Sequence, residues 1–443
     1  MRDVLRIKCK SKNQKRLVDL THVILFLRIF CVVLFVPVAL FYIYQLVMMG
    51  FGLKRPEKKQ INSGSKKHRF AIIIAARNEE EVIPKLIESI HNQKYPKELF
   101  DIFVVADNCT DKTAQVSRDA GACVFERFDK EWVGKGYALK YVFDILRKQY
   151  SEEYDAACVF DADNLAAPDF LITMNEYLCD GHEIIQGYRD TKNPYNNYLS
   201  GNYMIHWCFL SRFYHLPRTR LAKLGLSASV CGTGFVFKAD IIKEKGWSTK
   251  TITEDCEFSL LNAAKGRRVV IAYGAKFYDE QPTEFGVSLS QRRRWIIGGY
   301  QCLYTFPQLI KGMLIKGNFF KIIDVLFGVL SGPIFAAAPL LALSSTVLML
   351  LDPNKSLLST LALMAAGTLA GYGIMLAQAV VVLAVEGKLS KRLWKAIITY
   401  PAFSLTFNIL AVLCVFCPKI EWTPIKHTHA ISLNDADLKQ NDG

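Results

Sequence analysis

An α/β domain flanked by membrane-spanning helices is the fold class that this sequence predicts, and three observations carry it. Apolar residues make up 51% of the 443-residue chain and crowd near its start and in its last third. The stretch between them alternates short apolar runs with segments of helical spacing, the signature of a sheet with covering helices. The short runs end in polar clusters, where a parallel sheet presents its binding crevice.

The first apolar run, 23–49, fits one tilted helix and is too short for two. It exceeds the apolar core of a cleavable signal, and no small-residue cleavage site follows. Arg28 lies near its end, where a long side chain snorkels to the interface. Residues 52–68 are polar and Lys-rich and read as a linker. From residue 70 onward, 70–76 (FAIIIAA), 101–106 (DIFVVA), 122–125 and 156–160 (AACVF) read as strands. Residues 79–92, 111–120 and 135–148 read as helices between them, which implies right-handed crossovers. Aromatic residues and Leu mix with Lys311 and Lys316 over 296–320, as in amphipathic helices on a membrane surface. Further apolar runs cover 322–350, 357–385 and 397–416. The last contains Pro401 and Asn408, and spanning, re-entering or lying in the interface all fit it. The loop 386–395 carries three Lys and one Arg against one Lys in 351–356, which sets the α/β domain on the cytosolic side. The expected organisation is a basic N-terminus and first membrane helix over 1–52, a linker over 53–68 and an α/β domain over 69–295. Interfacial helices follow over 296–320, membrane helices over 321–417 and a polar tail over 418–443.

The net charge of +14 invites a nucleic-acid reading, but its placement argues against one. Residues 1–70 hold fifteen Lys or Arg against three Asp or Glu, divided evenly around the first apolar run, as beside anionic lipid. No nucleic-acid-binding signature accompanies them. The twelve cysteines show no framework spacing and suit a reducing, cytosol-facing protein. Cys414 and Cys417 form a CxxC without a second pair and read as apolar fillers.

Polar groups follow the first, second and fourth strands: Arg77-Asn78-Glu79-Glu80, Asp107-Asn108-Cys109-Thr110-Asp111 and Asp161-Ala162-Asp163-Asn164. Asp161 and Asp163, two apart, suit a shared Mg2+ or Mn2+ ion and a substrate diphosphate. In isolation a polar loop with an Asx turn is the favoured reading of the pair. Thr253-Glu254-Asp255 reads as a helix start, with Thr253 at the cap and acids in the first turn. Asp255 also suits a general base that takes a hydroxyl proton. Gln291-Arg292-Arg293-Arg294-Trp295 precedes the interfacial stretch. Its arginines suit anionic lipid, or Arg294 suits a leaving diphosphate, with Trp295 as an apolar platform for a sugar ring. Lys135, in Gly134-Lys135-Gly136, sits at a loop-to-helix junction that favours phosphate, although the P-loop pattern is absent.

Taken in order, DxD (Asp161, Asp163), TED (Thr253-Glu254-Asp255) and QxxRW (Gln291, Arg294, Trp295) resemble the processive membrane glycosyltransferases of family 2. That group includes hyaluronan, chitin, cellulose and poly-N-acetylglucosamine synthases, and some glycolipid synthases. The resemblance spans roughly residues 70–300. It implies a GT-A-like, Rossmann-related fold, an inverting mechanism, a UDP-sugar donor and a Mg2+ or Mn2+ ion. By position it assigns Ala75, Arg77, Glu79, Asp107 and Lys135 to the nucleotide sugar. Asp161 and Asp163 fall to donor and metal, and Asp255 and Arg294 to catalysis. Gly232, Thr233, Gly234, Glu254, Gln291 and Trp295 fall to the acceptor or product. The loop ADNCTD replaces the commoner DDGSTD at the uracil contact. The favoured expectation is an integral cytoplasmic-membrane enzyme that extends a β-linked polysaccharide, alone or with an accessory subunit or further copies of itself. The alternative is a non-processive glycolipid synthase with a diacylglycerol or polyprenyl acceptor. A non-catalytic nucleotide-sugar-binding module is disfavoured by the retained acids. A transporter is disfavoured because the apolar runs lack paired ionisable residues.

Overall fold

The structure, a computed structural model, describes residues 2–417 and 431–433 apart from 58, 63, 151, 152, 244, 245 and 353. Most of the polar tail expected over 418–443 therefore lies outside the described residues.

Helix α1 (Arg2–Leu53) leads into strand β1 (Phe70–Ala76), helix α2 (Ile83–His91), β2 (Phe100–Asp107), α3 (Thr113–Asp119), β3 (Cys123–Arg127), α4 (Lys135–Gln149) and β4 (Ala156–Asp161). These four strands pair in parallel in the order β3-β2-β1-β4. Phe70, Ile72 and Ile74 face the cluster around α2, and Ala71 and Ile73 face the cluster around α4. Both faces of β1 are covered, which is why it reads as an unbroken apolar run. β1 has the expected bounds, β2 gains one residue at each end and β4 one at its end, and β3 starts one residue later and ends two later than expected.

The expected helices over 79–92 and 111–120 start late. Asp111 accepts from the Thr113 amide at 3.0 Å and from the Glu80 amide at 3.2 Å, so each loop occupies the other's first turn. Asn78 and Asn108 both take left-handed φ, 57° and 53°, which Asn tolerates better than most residues. Asn108 thus fills, in ADNCTD, the place of the glycine in DDGSTD.

The second half of the sheet is antiparallel in part and was not foreseen. After β5 (Leu165–Ala166) and α5 (Phe170–Cys179) come β6 (Ile184–Thr191), α6 (Tyr198–Phe209) and α7 (Leu216–Arg220). Then follow β7 (Phe235–Lys238), α8 (Asp240–Lys243), α9 (Glu254–Ala264) and β8 (Val269–Asp279). They complete the eight-stranded order β3-β2-β1-β4-β7-β6-β8-β5, with β7 antiparallel to both neighbours.

Helix α10 (Phe285–Thr305) carries the QxxRW segment and runs unbroken past residue 295. Helices α11 (Pro307–Lys316) and α12 (Phe319–Val329) follow, then α13 (Ser331–Leu350), α14 (Leu357–Val385) and α15 (Trp394–Phe416). The apolar run 322–350 is therefore two helices that part at Leu330. Among the described residues four helical segments are long and apolar enough to cross a membrane: Thr21–Leu53, Ser331–Leu350, Leu357–Val385 and Lys391–Phe416.

Candidate functional site

The carboxyl ends of β1, β2 and β4, the start of α4, the start of α9 and the middle of α10 surround one cavity of about 490 Å³. Ala75, Arg77 and Glu79 come from the end of β1, Asp107 from β2, Lys135 from α4, and Asp161 and Asp163 from the end of β4. Glu254 and Asp255 come from α9, Gln291, Arg294 and Trp295 from α10, and Gly232 from the loop before β7. Residues spread over more than two hundred positions of sequence thus meet in one crevice, where an α/β sheet binds ligands.

Thr233 and Gly234, unlike Gly232, do not line the cavity. Thr233 is fully buried; its Oγ1 accepts from the Asp161 amide at 2.8 Å and its hydroxyl donates to Asn164 Oδ1. Gly234 has φ 61°, and a Cβ there would stand 2.2 Å from the Phe277 ring. Both residues support the DxD turn and the sheet.

The acids are held by named partners. Lys135 Nζ bridges Asp161 Oδ1 and, at 2.8 Å, the Gly232 carbonyl. Asp163 is buried beside Asn164, whose Nδ2 donates to Asp163 Oδ1 at 3.2 Å and to Asp279 Oδ1 at 2.8 Å. Asp107 is buried in an ion pair with Arg127 at 2.6 Å; burial still outweighs that pair and holds its carboxyl above the usual value.

Glu254 and Asp255 follow Thr253, which occupies the N-cap position of α9 without a side-chain capping bond. The expected capping role is thus not filled by the hydroxyl, and Thr253 Oγ1 is buried with no hydrogen-bond partner. Asp255 Oδ1 accepts from the Cys256 amide at 2.8 Å, and Oδ2 lies over Gly232, where a Cβ would be 3.4 Å away. Burial raises both carboxyls, Glu254 to about 7, while the Lys135 ammonium lowers both.

The three arginines of QxxRW point to three destinations, as helical spacing of about 100° per residue requires. Arg292 turns into α15, Arg293 donates to the Cys417 carbonyl at 2.9 Å, and Arg294 faces the cavity. Trp295 faces the cavity as well and packs edge-on against Trp207, ring centres 5.6 Å apart. Gln291 Oε1 is buried without a hydrogen-bond partner at the same wall.

Sequence reasoning missed several lining residues: Arg189, Asp279, Glu280, Thr249 and Gln301. Arg189 Nε donates to Asp279 Oδ2 at 2.9 Å, and its guanidinium lies 3.9 Å from the Trp207 ring centre. Burial pushes Asp279 up to about 6 despite that pair. The one signal was Arg189-Asp190 inside an otherwise buried strand, since a buried charge requires a partner. Gln301 Oε1 accepts from the Ile252 amide at 2.9 Å, and a Cβ on Gly298 would strike Thr253 at 2.2 Å. These two contacts tie α10 directly to the start of α9.

Asp161 and Asp163 are the residues able to hold a metal ion. Among the described residues no group of three or more His, Cys, Asp and Glu side chains converges on an ion site. Two carboxylates facing an open cavity fit Mg2+ or Mn2+, which complete their shells with phosphate oxygens and water. They do not form a closed protein cage.

Residues 68–298 match the family described as "Glycosyltransferase like family 2". The chain belongs to this family. Of curated family-2 relatives, the beta-monoglucosyldiacylglycerol synthase of Nostoc sp. is 27% identical over 271 residues, covering 59% of this chain and 55% of that protein. The probable glycosyltransferase YdaM of Bacillus subtilis is 26% identical over 248 residues, covering 54% and 57%. The chain therefore spans little more than half the length of these relatives. Among solved structures, the mannosyltransferase PcManGT of Pyrobaculum calidifontis, in complex with GDP-Man and Mn2+, aligns with a TM-score of 0.59 at 16% identity. That alignment covers 89% of this chain and 100% of the other. The fold of this family-2 chain is thus the GT-A-like α/β fold that the sequence predicts.

Proposed function

We propose that this family-2 protein transfers a hexose from a nucleoside-diphosphate sugar, a UDP-sugar by its resemblance, to the hydroxyl of a membrane lipid, with inversion. The observation that carries the lipid acceptor is the double allegiance of Trp295. It lines the cavity, and it packs on the apolar cluster of Tyr203 and Trp207 with Val382 and Leu383 of α14 and Phe403 of α15. The wall of the cavity is thus continuous with membrane helices, which suits an acceptor with a polar head and an acyl body. The similarity to a monoglucosyldiacylglycerol synthase supports the same reading over polysaccharide extension.

In this reading Asp107, Arg77 and Glu79 flank the nucleotide, and Lys135 and Arg294 face its diphosphate. Asp255 takes the proton of the acceptor hydroxyl while that oxygen bonds to the anomeric carbon. The bond from the anomeric carbon to the diphosphate oxygen breaks in the same step, and no covalent enzyme intermediate forms. A Mg2+ or Mn2+ ion bound at Asp161 and Asp163 supplies charge neutralisation for the leaving diphosphate. Trp295 and its aromatic neighbours exclude water from the acceptor side, which limits hydrolysis of the donor.

The test is to incubate membranes holding the protein with radiolabelled nucleotide sugars and divide the product between organic extract and high-mass aqueous polymer. Label in the organic extract is the expected result. Label confined to polymer overturns the lipid acceptor and restores the polysaccharide reading.

A further inference from the structure

We infer that α15, although long and apolar enough to cross a membrane, lies along the catalytic-domain side of the bilayer, leaving α1, α13 and α14 as the crossings. Helices of known direction supply the reference levels. The end of α1 meets the domain, where Arg212 Nη2 donates to the Leu53 carbonyl at 3.2 Å. Helix α13 runs antiparallel along α1, with Val38 and Phe41 against Ile334 and Ala337, and Cys31 Sγ 3.2 Å from Ser344 Oγ. The start of α13 is therefore on the catalytic side and its end on the far side. Helix α14 returns: Thr360 Oγ1 is 3.5 Å from the Met349 carbonyl at the far end. Beyond its near end, Glu386 accepts from the Tyr188 hydroxyl at 2.8 Å and Lys388 pairs with Asp190 at 2.5 Å.

Both ends of α15 are held by elements of the catalytic side, and its first turns also accept, at the Ile398 carbonyl, from the Tyr372 hydroxyl of α14. At its start a Cβ on Gly201 of α6 would stand 2.6 Å from Ala396, and Asn202 Nδ2 donates to Thr399 Oγ1 at 3.0 Å. In its middle Phe403 and Phe407 pack on Tyr203 and His206 of α6, ring centres 5.1 and 5.2 Å apart. Near its end the Tyr300 hydroxyl donates to the Ala411 carbonyl at 3.0 Å, while the same ring lies against Gly332 in the first turn of α13. The chain just past the helix, at Cys417, is held by Arg293. A helix of 23 residues is about 34 Å long, enough to carry Phe416 to the far end of α13. It is instead beside the near end.

The opposite face of α15 identifies its partner. Ile398, Ala402, Leu405, Ile409, Leu413 and Phe416 recur every three or four residues and are exposed, without a charge among them. Lys391, Arg392 and Lys395 cluster exposed at the start. An uncharged apolar stripe beginning at a basic cluster fits the acyl region of the near leaflet, with phosphate headgroups at the basic end. Farther along, Ile431 and Leu433 pack with Leu165 and Tyr278 of the α/β domain, which places residues 431–433 on the same side.

The test is protease protection in sealed vesicles, with one tag fused ahead of residue 1 and another after residue 443. In vesicles whose α/β domain is digested by added protease, the C-terminal tag should be lost and the N-terminal tag kept until detergent is added. A C-terminal tag protected while the domain is digested overturns the placement of α15. An N-terminal tag lost before detergent is added overturns the three crossings. Neither readout depends on which sugar or acceptor is used.

Discussion

Arg292 of the QxxRW helix donates from Nη1 to the main-chain carbonyl of Phe403 in α15, 3.1 Å away, and its guanidinium lies 4.4 Å from the Phe403 ring centre. It is fully buried, and it also bonds Thr406. The middle arginine of the run, Arg293, is more exposed and donates to the Cys417 carbonyl just past the same helix. Arg292→Ala should therefore cost about 1.5–3 kcal/mol, the value of a charge-assisted hydrogen bond. Arg293→Ala should cost less than about 1 kcal/mol. Thermal unfolding of the two variants in detergent reads the difference.

Asp255→Asn keeps the shape of the site and removes the base. Transfer should fall by about 10²–10⁴-fold, with binding of UDP unchanged. Calorimetry alongside the radiolabel assay separates the two, and an Asp255→Asn variant as active as the parent would remove Asp255 from the mechanism.

The pH dependence follows from the Glu254–Asp255 pair. A general base works ionised, so activity should fall as pH drops through its pKa. Burial raises Asp255 above an ordinary carboxyl, which moves that acid limb to higher pH than a free Asp would give. Like charges raise each other, and Asp255 raises Glu254. Glu254, raised to about 7, is then already neutral where Asp255 titrates, so Glu254→Gln should leave the acid limb in kcat/KM against pH in place. A limb that moves with that substitution contradicts this order of ionisation.

Gly298 and Thr253 set the distance between α10 and the start of α9. A methyl group at 298 strikes the Thr253 side chain, and Thr253 immediately precedes the acids. Gly298→Ala should lower kcat by up to about 10²-fold through displacement of Asp255, with little change in UDP affinity. Steady-state kinetics with a UDP titration decides it.

Chelation of divalent ions should abolish transfer, and Mn2+ should strengthen UDP binding to the parent. Asp163→Ala should erase that strengthening, a loss of about ten- to hundredfold in affinity, measured by calorimetry with and without Mn2+.

The parallel half of the sheet was legible because β1, β2 and β4 are buried and read as plain apolar runs such as FAIIIAA. The antiparallel half was not. β7 has four residues, too few for a period, and β6 carries Gln186, Arg189 and Asp190, buried groups satisfied only by partners distant in sequence. The site acids were legible through strand ends and motif order. Arg189 and Asp279 were not, since their pairing spans ninety positions. Adjacency in sequence does not reveal direction: Gly232 opens to the cavity while Thr233 and Gly234 turn into the sheet. The fate of α15 was illegible for another reason. Hydropathy measures whether a helix tolerates hydrocarbon, and the destination of its two ends is written in α6, α10 and α13.

The contact between Lys135 and Asp161 has one more implication under the proposed chemistry. Before any donor arrives, the ammonium already occupies the carboxylate that a metal-diphosphate would claim, with the Gly232 carbonyl as its second anchor. Loading would then be a swap of ionic partners: Lys135 would leave a carboxylate for a phosphate, and Asp161 would be one of the residues to hold the ion. Such a swap releases little net charge to solvent, so affinity for the donor should respond only weakly to added salt, in contrast to a bare basic pocket that captures phosphate by displacing counterions.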